Sequence, residues 1–558
     1  MNVSALRHCS FYPFVQPLAR DSAVFMLEAA RDDLKKCTMV WWKRSEPEKI
    51  FHTAGTPRYS AGALTQWAFS LHFPEEAHYI KYHFLLEDAA GSPCRFNSYG
   101  IDQDEKGCFE LLQINPTDVI APPEWAKGCV YYQIFPERFA RDETPRSGLS
   151  PWTDAPTRDN FLGGTLNGIR ARLPYLKDLG VECLYLNPVF TADFNHKYAT
   201  TDYFTVDPAF GGDEALAALV DAAHEAGIRV ILDGVFNHTG IHFPPFADVL
   251  KNGAESRYAD WFYLKKTPVT VDAACYECVG DYPYMPRLNG ACPEVREYVK
   301  KILLYWPEKF RIDGWRLDVA DELDKSAVRY WRVCMKRAFP EAVLLAETWG
   351  SAAAMVGPGG FDCAMNYLFR DAAVACFAKY TLTETAFTDR LSAMLAKYPD
   401  VTNHAMYNCL GSHDTARFLT EAGGDKRSLK LAMAFQMTFP GAPAVYYGDE
   451  IGMAGENDPG CRGGMAWQAM DEELLDWQKR LIALRKSHSA LRGGSVRFQS
   501  VSDATHQFTL IREDDSEKVM AAFNLDAVPH PTDFAGEAES VDVPPRSVKI
   551  IIQHKEET

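Results

Sequence analysis

Apolar residues recur at every second position in several runs within residues 22–112. Trp67, Phe69, Leu71 and Phe73 form one series and Ile80, Tyr82, Phe84 and Leu86 another, with polar turns between. Side chains of a strand alternate between its two faces. This period therefore predicts short strands with one buried side, assembled as a small antiparallel sandwich. Ala121-Pro122-Pro123 ends the pattern, because proline offers no amide to a ladder or a helix interior. Beyond it the period lengthens. In the stretch from Ile169, Leu173, Leu176 and Leu179 fall on one side of a helix that Gly180 stops, and the strand Cys183-Leu-Tyr-Leu-Asn187 follows. Residues 213–233 repeat the plan: Leu216, Leu219, Val220 and Ala223 form the stripe, Gly227 ends it, and Val230-Ile-Leu-Asp233 is the strand. Helix, glycine stop, apolar strand and polar strand end make the unit of a parallel α/β fold.

Strands of this kind begin near Val130, Cys183, Val230, Ile312, Val343, Phe361, Asn408 and Ala442. Eight such units predict an α/β fold, a (β/α)8 TIM barrel, although periodicity alone does not separate a closed barrel from a doubly wound open sheet. The interval after the third strand, residues 239–292, is rich in aromatic and turn residues and reads as a small inserted subdomain beside the pocket. β texture returns at residues 507–512, 518–524 and 547–553. The expected organisation is an N-terminal β-sandwich at 1–120, the barrel at 121–488 with its insertion, and a C-terminal antiparallel β domain at 489–558.

At 558 residues the chain needs more than one core. Lys and Arg total 58 against 75 Asp and Glu, a formal charge of −17. That sign argues against nucleic acid or an anionic membrane as partner and is compatible with a neutral, polyhydroxylated substrate. No stretch approaches about 18 uninterrupted apolar residues, and the N-terminus lacks a basic segment followed by a long apolar one. Neither a membrane span nor a signal peptide is expected. The 14 cysteines, several within apparent core strands (Cys129, Cys183, Cys409), point to a reducing cytoplasm. Cys275-x-x-Cys278, with Cys292 beyond, lacks a fourth ligand at zinc spacing, so no metal site is expected there.

Four segments carry polar clusters at the ends of apolar runs: Asp233-Gly-Val-Phe-Asn237-His238, Gly314-Trp-Arg316-Leu-Asp318, Ala346-Glu347-Thr-Trp349 and Gly411-Ser-His413-Asp414. Parallel barrels gather reactive groups at the C-terminal ends of strands. Asp318 follows the fourth strand, Glu347 the fifth and Asp414 the seventh. Breaking a glycosidic bond with retention requires a carboxylate nucleophile and a protonated acid about 5–5.5 Å apart, which two strand ends can supply. Arg316, two residues before Asp318, shares its face of the strand and would keep it ionised. Glu347 must hold its proton at rest, which nearby carboxylates and an apolar Trp349 favour. Asp414, beside His413, suits sugar hydroxyls and an oxocarbenium-like transition state. His196 and His238 are candidate hydroxyl donors, and Tyr198 offers a flat face to a pyranose ring. Singly, each has a commoner structural reading as helix cap, ion pair or core side chain. Their occurrence together, in order, at strand ends is what singles them out.

These segments resemble, in order and spacing, the four signature regions of the α-amylase family, glycoside hydrolase family 13, across residues 125–555. The resemblance implies that Asp318 is the nucleophile, Glu347 the acid/base and Asp414 the transition-state stabiliser. It places Arg316, His238 and His413 around the reacting glucose, has Asp233 position Arg316, and matches His196-Lys-Tyr198 to a substrate-stacking segment. Met285-Pro-Arg-Leu-Asn289, Val319-Ala-Asp-Glu322, and the stretch from Tyr446 to Arg462 are similar to the neopullulanase, cyclomaltodextrinase and maltogenic amylase group. The implied activity is retaining hydrolysis of α-1,4 bonds in cyclomaltodextrins, maltooligosaccharides and pullulan. Some transglycosylation is implied as well, with Glu322 near the acceptor side. An α-1,6-glucosidase or glucanotransferase of the same family is the nearest alternative, and a catalytically silent glycan-binding relative is another. The N-terminal domain resembles carbohydrate-binding module family 34, which in this group often serves as a dimer contact and implies a homodimer with a narrowed cleft. Two departures stand out. Calcium-binding relatives carry an Asn/Asp-rich run and Gly-Gly-Asp near the first barrel loop. This chain has Gly163-Gly-Thr165 and no such run in residues 138–159, so neither calcium nor another cofactor is expected to be required. Arg287 replaces the fifth region's lysine, keeping the charge on a wider fork. Trp41-Trp42 has two readings, as a glucan platform or as sandwich aromatics.

Overall fold

A computed structural model describes residues 1–101, 107–532 and 540–555. The alternating N-terminal runs form two packed antiparallel sheets. One sets Val15–Ala19, Ser22–Ala30, Leu64–His72 and Thr56–Ala61 side by side, and the other is built around Leu34–Lys43 paired with His78–Asp88. Phe25 lies opposite Phe69 and Leu27 opposite Trp67, so one face of the first sheet is apolar. It meets Met39, Trp41, Tyr82 and Phe84 of the second sheet in a buried core. Trp41 stacks on Phe51 at 4.3 Å between ring centroids and donates its indole N–H to Thr53, which makes it a sandwich aromatic.

The barrel strands are Tyr131–Ile134, Cys183–Leu186, Arg229–Gly234, Gly314–Leu317, Val343–Ala346, Cys363–Ala364, Tyr407–Cys409 and Ala442–Tyr446. They pair in parallel, the eighth returning to the first. A parallel bridge between Met365 and Tyr407 joins the sixth to the seventh and completes the ring, which excludes the open sheet. Every residue of the second, fourth and fifth strands is buried, because helices cover one face and the barrel interior the other. Gly314 opens the fourth strand where a Cβ would lie 2.3 Å from the Val343 carbonyl oxygen, so only glycine lets these strands pair closely.

The helix read near Ile169 is two helices, Leu166–Ala171 and Leu173–Leu179. Pro174 has no N–H with which to carry the first helix through Arg172. Gly180 ends the second at φ +95°. The Gly212–Glu225 helix buries the expected stripe of Leu216, Leu219, Val220 and Ala223. The excursion after the third strand contains the helix Pro244–Asn252 and a small core of Phe246, Phe262 and Tyr276. An antiparallel bridge from His238 to Arg287 returns its chain to the barrel top.

At the C-terminus Ser495–Ser502, Gln507–Glu513, Glu517–Asn524 and Ser547–His554 form an antiparallel sheet. Buried Arg512 donates to the carbonyls of Thr438, Leu491, Gly494 and Ser495 and so ties this sheet to the barrel. Arg58 ties the sandwich to the barrel through Asp400 and the Tyr398 carbonyl. All 14 cysteines are thiols, and among the described residues no helix is long and apolar enough to cross a membrane.

Candidate active site

The floor of the site follows from strand register. Parallel pairing sets Asp233 of the third strand beside Arg316 of the fourth, and Leu317 beside Ala346 of the fifth. Asp318 and Glu347, one residue further, therefore emerge side by side. Arg316 is wholly buried and meets three carboxylates. Its Nη1 donates to Asp233 (2.8 and 3.0 Å) and to Asp318 Oδ1 (2.8 Å), and its Nη2 lies 2.8 Å from Glu347 Oε1. A guanidinium is retained out of water only when its charge is paired, and here the pairing also fixes its direction. Asp233 accepts in addition from the hydroxyls of Tyr185 (2.7 Å) and Tyr198 (2.9 Å). The second oxygen of Glu347 accepts from the Val319 amide at 2.8 Å. Val319 has left-handed backbone angles, φ 45° and ψ 48°. That conformation costs a β-branched residue on the order of 1–3 kcal/mol, and here it aims the amide at Glu347.

The wall opposite is built on Asp414, whose Oδ2 lies 3.1 Å from His413 Nε2 and whose Oδ1 lies 3.1 Å from Arg462 Nη2. Gln133 donates to His413 Nδ1 at 2.8 Å, which leaves Nε2 as the protonated nitrogen, 2.6 Å from the Tyr198 hydroxyl. Burial pushes His196 and His238 down to about 3 and His413 well below the usual histidine range. All three imidazoles are neutral at pH 7 and serve as hydrogen-bond donors, not cations. His196 Nδ1 accepts from the Tyr198 amide, so its Nε2–H is free for a ligand. Neither nitrogen of His238 has a partner of good geometry. Burial pushes Asp318 well above the ordinary carboxylate range, so that Arg316 opposes the shift without cancelling it, contrary to the expectation that it alone keeps Asp318 ionised, and burial pushes Asp414 up to about 7. The charge of Glu347 adds to both shifts, Arg316 opposes both, and Arg462 opposes the one at Asp414.

These groups open onto a pocket of about 330 Å³ lined by Asp318, Glu347, Asp414, His196, Tyr198, His238, His413 and Trp349. Trp349 is 53% exposed and stacks flat on Tyr367, 4.2 Å and 3° apart, leaving its outer face at the rim for a sugar ring. Three expected substrate-binding residues stand elsewhere. Asp233 and Arg316 have no exposed side-chain surface and act from beneath the pocket floor. Glu322 is absent from the pocket lining: its carboxylate accepts from Asn237 at 2.9 Å, and Arg287 donates to its carbonyl at 2.8 Å. The tight turn Ala320–Glu322 rotates the chain about a third of a turn per residue and presents Asp321 to the pocket in its place. Asp321 accepts from the Thr348 hydroxyl at 3.1 Å.

Arg158, Tyr282, Tyr284, Met285, Asp458 and Arg462 also line the pocket, none of them among the site residues the sequence singles out. Met285, Asp458 and Arg462 lay within motif-like stretches, and the tyrosines lay in the aromatic-rich excursion, so a signal was present for those. Arg158 sits in a loop without periodicity, and nothing local marked it.

Residues 133–480 match the family described as alpha amylase, catalytic domain, and residues 1–114 match the alpha amylase N-terminal ig-like domain. A cyclomaltodextrinase from Geobacillus thermopakistaniensis (strain MAS1) is 45% identical over 474 residues, covering 82% of this chain and 80% of that protein. Neopullulanase 2 from Thermoactinomyces vulgaris is 37% identical over 536 residues, 94% of this chain and 91% of that one. The solved structure of a cyclomaltodextrinase superposes with a TM-score of 0.90 at 37% identity, covering 95% of this chain and 93% of that one. With fold, strand-end cluster and extended identity in agreement, the chain belongs to the α-amylase family, glycoside hydrolase family 13.

Proposed function

We propose that the protein is a retaining α-glucan hydrolase in which Asp318 attacks the anomeric carbon while Glu347 protonates the departing oxygen. Glu347 then deprotonates water, or a sugar hydroxyl, which displaces Asp318 from the glycosyl-enzyme. The observation that carries this reading is the single guanidinium of Arg316, 2.8 Å from a carboxylate oxygen of each residue. One planar group holding both carboxylates sets them on the same side of the pocket floor, where both can reach one glycosidic bond, as the nucleophile and acid of the retaining class must. Asp414, His196, His238 and His413 would bind the hydroxyls of the reacting sugar, and Tyr198 and Trp349 would stack on its rings. The relatives named cyclomaltodextrinase and neopullulanase support cyclomaltodextrins, linear maltooligosaccharides and pullulan as substrates. All three triad carboxylates are in place, which weighs against a catalytically silent relative.

The direct test follows products from β-cyclodextrin, pullulan and soluble starch, with NMR of the anomer first released. Ring opening of β-cyclodextrin with initial α-anomers is expected, and Asp318→Asn should lower kcat at least a thousandfold. Release of β-anomers would overturn the double displacement. Cleavage confined to α-1,6 bonds would move the substrate assignment to the debranching side of the family. The chain is further read as cytoplasmic and as a homodimer through its N-terminal domain. The 14 thiols support the first part, as does a 41% identical relative over 423 residues named intracellular maltogenic amylase, from Bacillus subtilis (strain 168). Cell fractionation of the source organism checks the location.

A further inference from the structure

The loop between the first barrel strand and the helix Leu166–Ala171 brings several oxygen acceptors together. Asp142 supplies a carboxylate, Gly163 a carbonyl and Thr165 a hydroxyl that donates to Asp142 Oδ2 at 3.1 Å. Oxygens of these kinds converging in one loop are what a hard divalent cation takes. In this chain they surround a guanidinium. Arg146 Nη2 lies 3.1 Å from each Asp142 oxygen, and Nη1 donates to the Gly163 carbonyl at 3.1 Å. Both side chains are mostly buried, 21% exposed for Arg146 and 14% for Asp142.

Neighbouring arginines take up more of the loop's oxygens. Arg141 donates to the carbonyls of Leu162 and Ser150, and wholly buried Arg138 donates to the carbonyl and side-chain oxygen of Asn160 at 2.8 and 2.9 Å. Among the described residues no group of three His, Cys, Asp or Glu could hold a metal. One carboxylate balances one guanidinium, whereas a divalent ion beside Asp142 alone would leave a net positive charge in a poorly solvated loop. The donor set therefore does not fit calcium.

We infer that Arg146 stands in for a divalent cation in this loop and is a positioning residue for the pocket. Gly163, at φ +79°, gives its carbonyl to Arg146 and its amide to Glu137. Thr165, bonded to Asp142, caps the helix Leu166–Ala171 by accepting from Gly168 at 2.9 Å. The same loop delivers Arg158 to the pocket. Its carbonyls at Thr157 and Asn160 accept from Asn195 at 3.1 and 2.8 Å, and the next residue is His196. Fixing the loop from within thus holds two pocket-lining side chains in place.

The test is thermal melting of the full-length protein in plain buffer, with EDTA and with millimolar CaCl2, for wild type, Arg146→Ala and Arg146→Lys. Wild type should melt at one temperature in all three buffers. Arg146→Ala should melt several degrees lower in all three buffers, since one carboxylate with neutral oxygens does not hold the ion, and Arg146→Lys should recover most of the loss. On β-cyclodextrin, Arg146→Ala should raise KM more than it lowers kcat, since the chemistry itself is untouched. A wild type that EDTA destabilises and calcium restores overturns the proposal, and so does an alanine variant as stable as wild type or one that calcium restores. The wild-type arm decides even if the alanine variant fails to fold. The melting arms do not depend on which glucan is the substrate.

Discussion

Arg316 carries a full charge with no exposed surface, and three carboxylates within 3.0 Å make that arrangement stable. Its partners gain direction in return: Asp318 is turned toward the pocket and Glu347 is held between a cation and an amide. Asp414 depends in the same way on Arg462, whose charge opposes the burial that on balance holds this carboxyl up at about 7. Removing Arg462 leaves Arg316 as the one arginine opposing burial, so the folded pKa rises further. Asp414 must be ionised to accept sugar hydroxyls, and the acid limb of kcat/KM reports the free enzyme. In Arg462→Met that limb should therefore move to higher pH than in wild type. A pH–rate profile on β-cyclodextrin checks this, and an unmoved limb would show that ionisation of Asp414 does not control it.

At the scale of one element, the short turn after the fourth strand decides which acidic side chain faces the pocket. Val319 enters it in a left-handed conformation, and the turn Ala320–Glu322 then sends Asp321 into the pocket and Glu322 toward Asn237 and Arg287. Arg287 uses its fork to bridge the Glu277 carboxylate at 3.0 Å and the Glu322 carbonyl. It thus braces this turn without lining the pocket. Asp321→Asn should shift the ratio of transfer to hydrolysis, read as products from maltotriose with and without added glucose, and Glu322→Ala should leave it unchanged. The reverse result would return the acceptor role to Glu322. Chromatographic product ratios at equal conversion make the comparison.

On the scale of the whole molecule, the sandwich reaches the barrel through Arg58 and the C-terminal sheet reaches it through Arg512, so both flanking domains are held by buried arginines. The sandwich also exposes bulky apolar side chains: Phe11 is 69% exposed, Tyr99 79% and Leu112 57%. Covering such residues is what a partner copy would do. Light scattering should give roughly twice the chain mass of 62.6 kDa at micromolar concentration, falling toward one chain in the pair variant Phe11→Ser, Tyr99→Ser. A wild type that stays monomeric would remove the homodimer.

By itself, the sequence determined the period of each element and the order of the chemistry. Alternation marked the sandwich because one strand face is buried, and the unbroken apolar runs marked the barrel because both faces are. The placement of Asp318, Glu347 and Asp414 at strand ends was legible because strand ends were. The Pro174 break was legible only in hindsight, since the apolar stripe runs across it. Tertiary structure alone closed the ring at Met365 and Tyr407, sank Asp233 and Arg316 beneath the floor, exchanged Asp321 for Glu322, and brought Arg158 and Arg146 to their partners. Periodicity records which side of an element is buried, a local property of the chain. Which loop atoms meet across a barrel rim is set by register, backbone twist and the pairing of buried charge, and residues far apart in the chain decide those together.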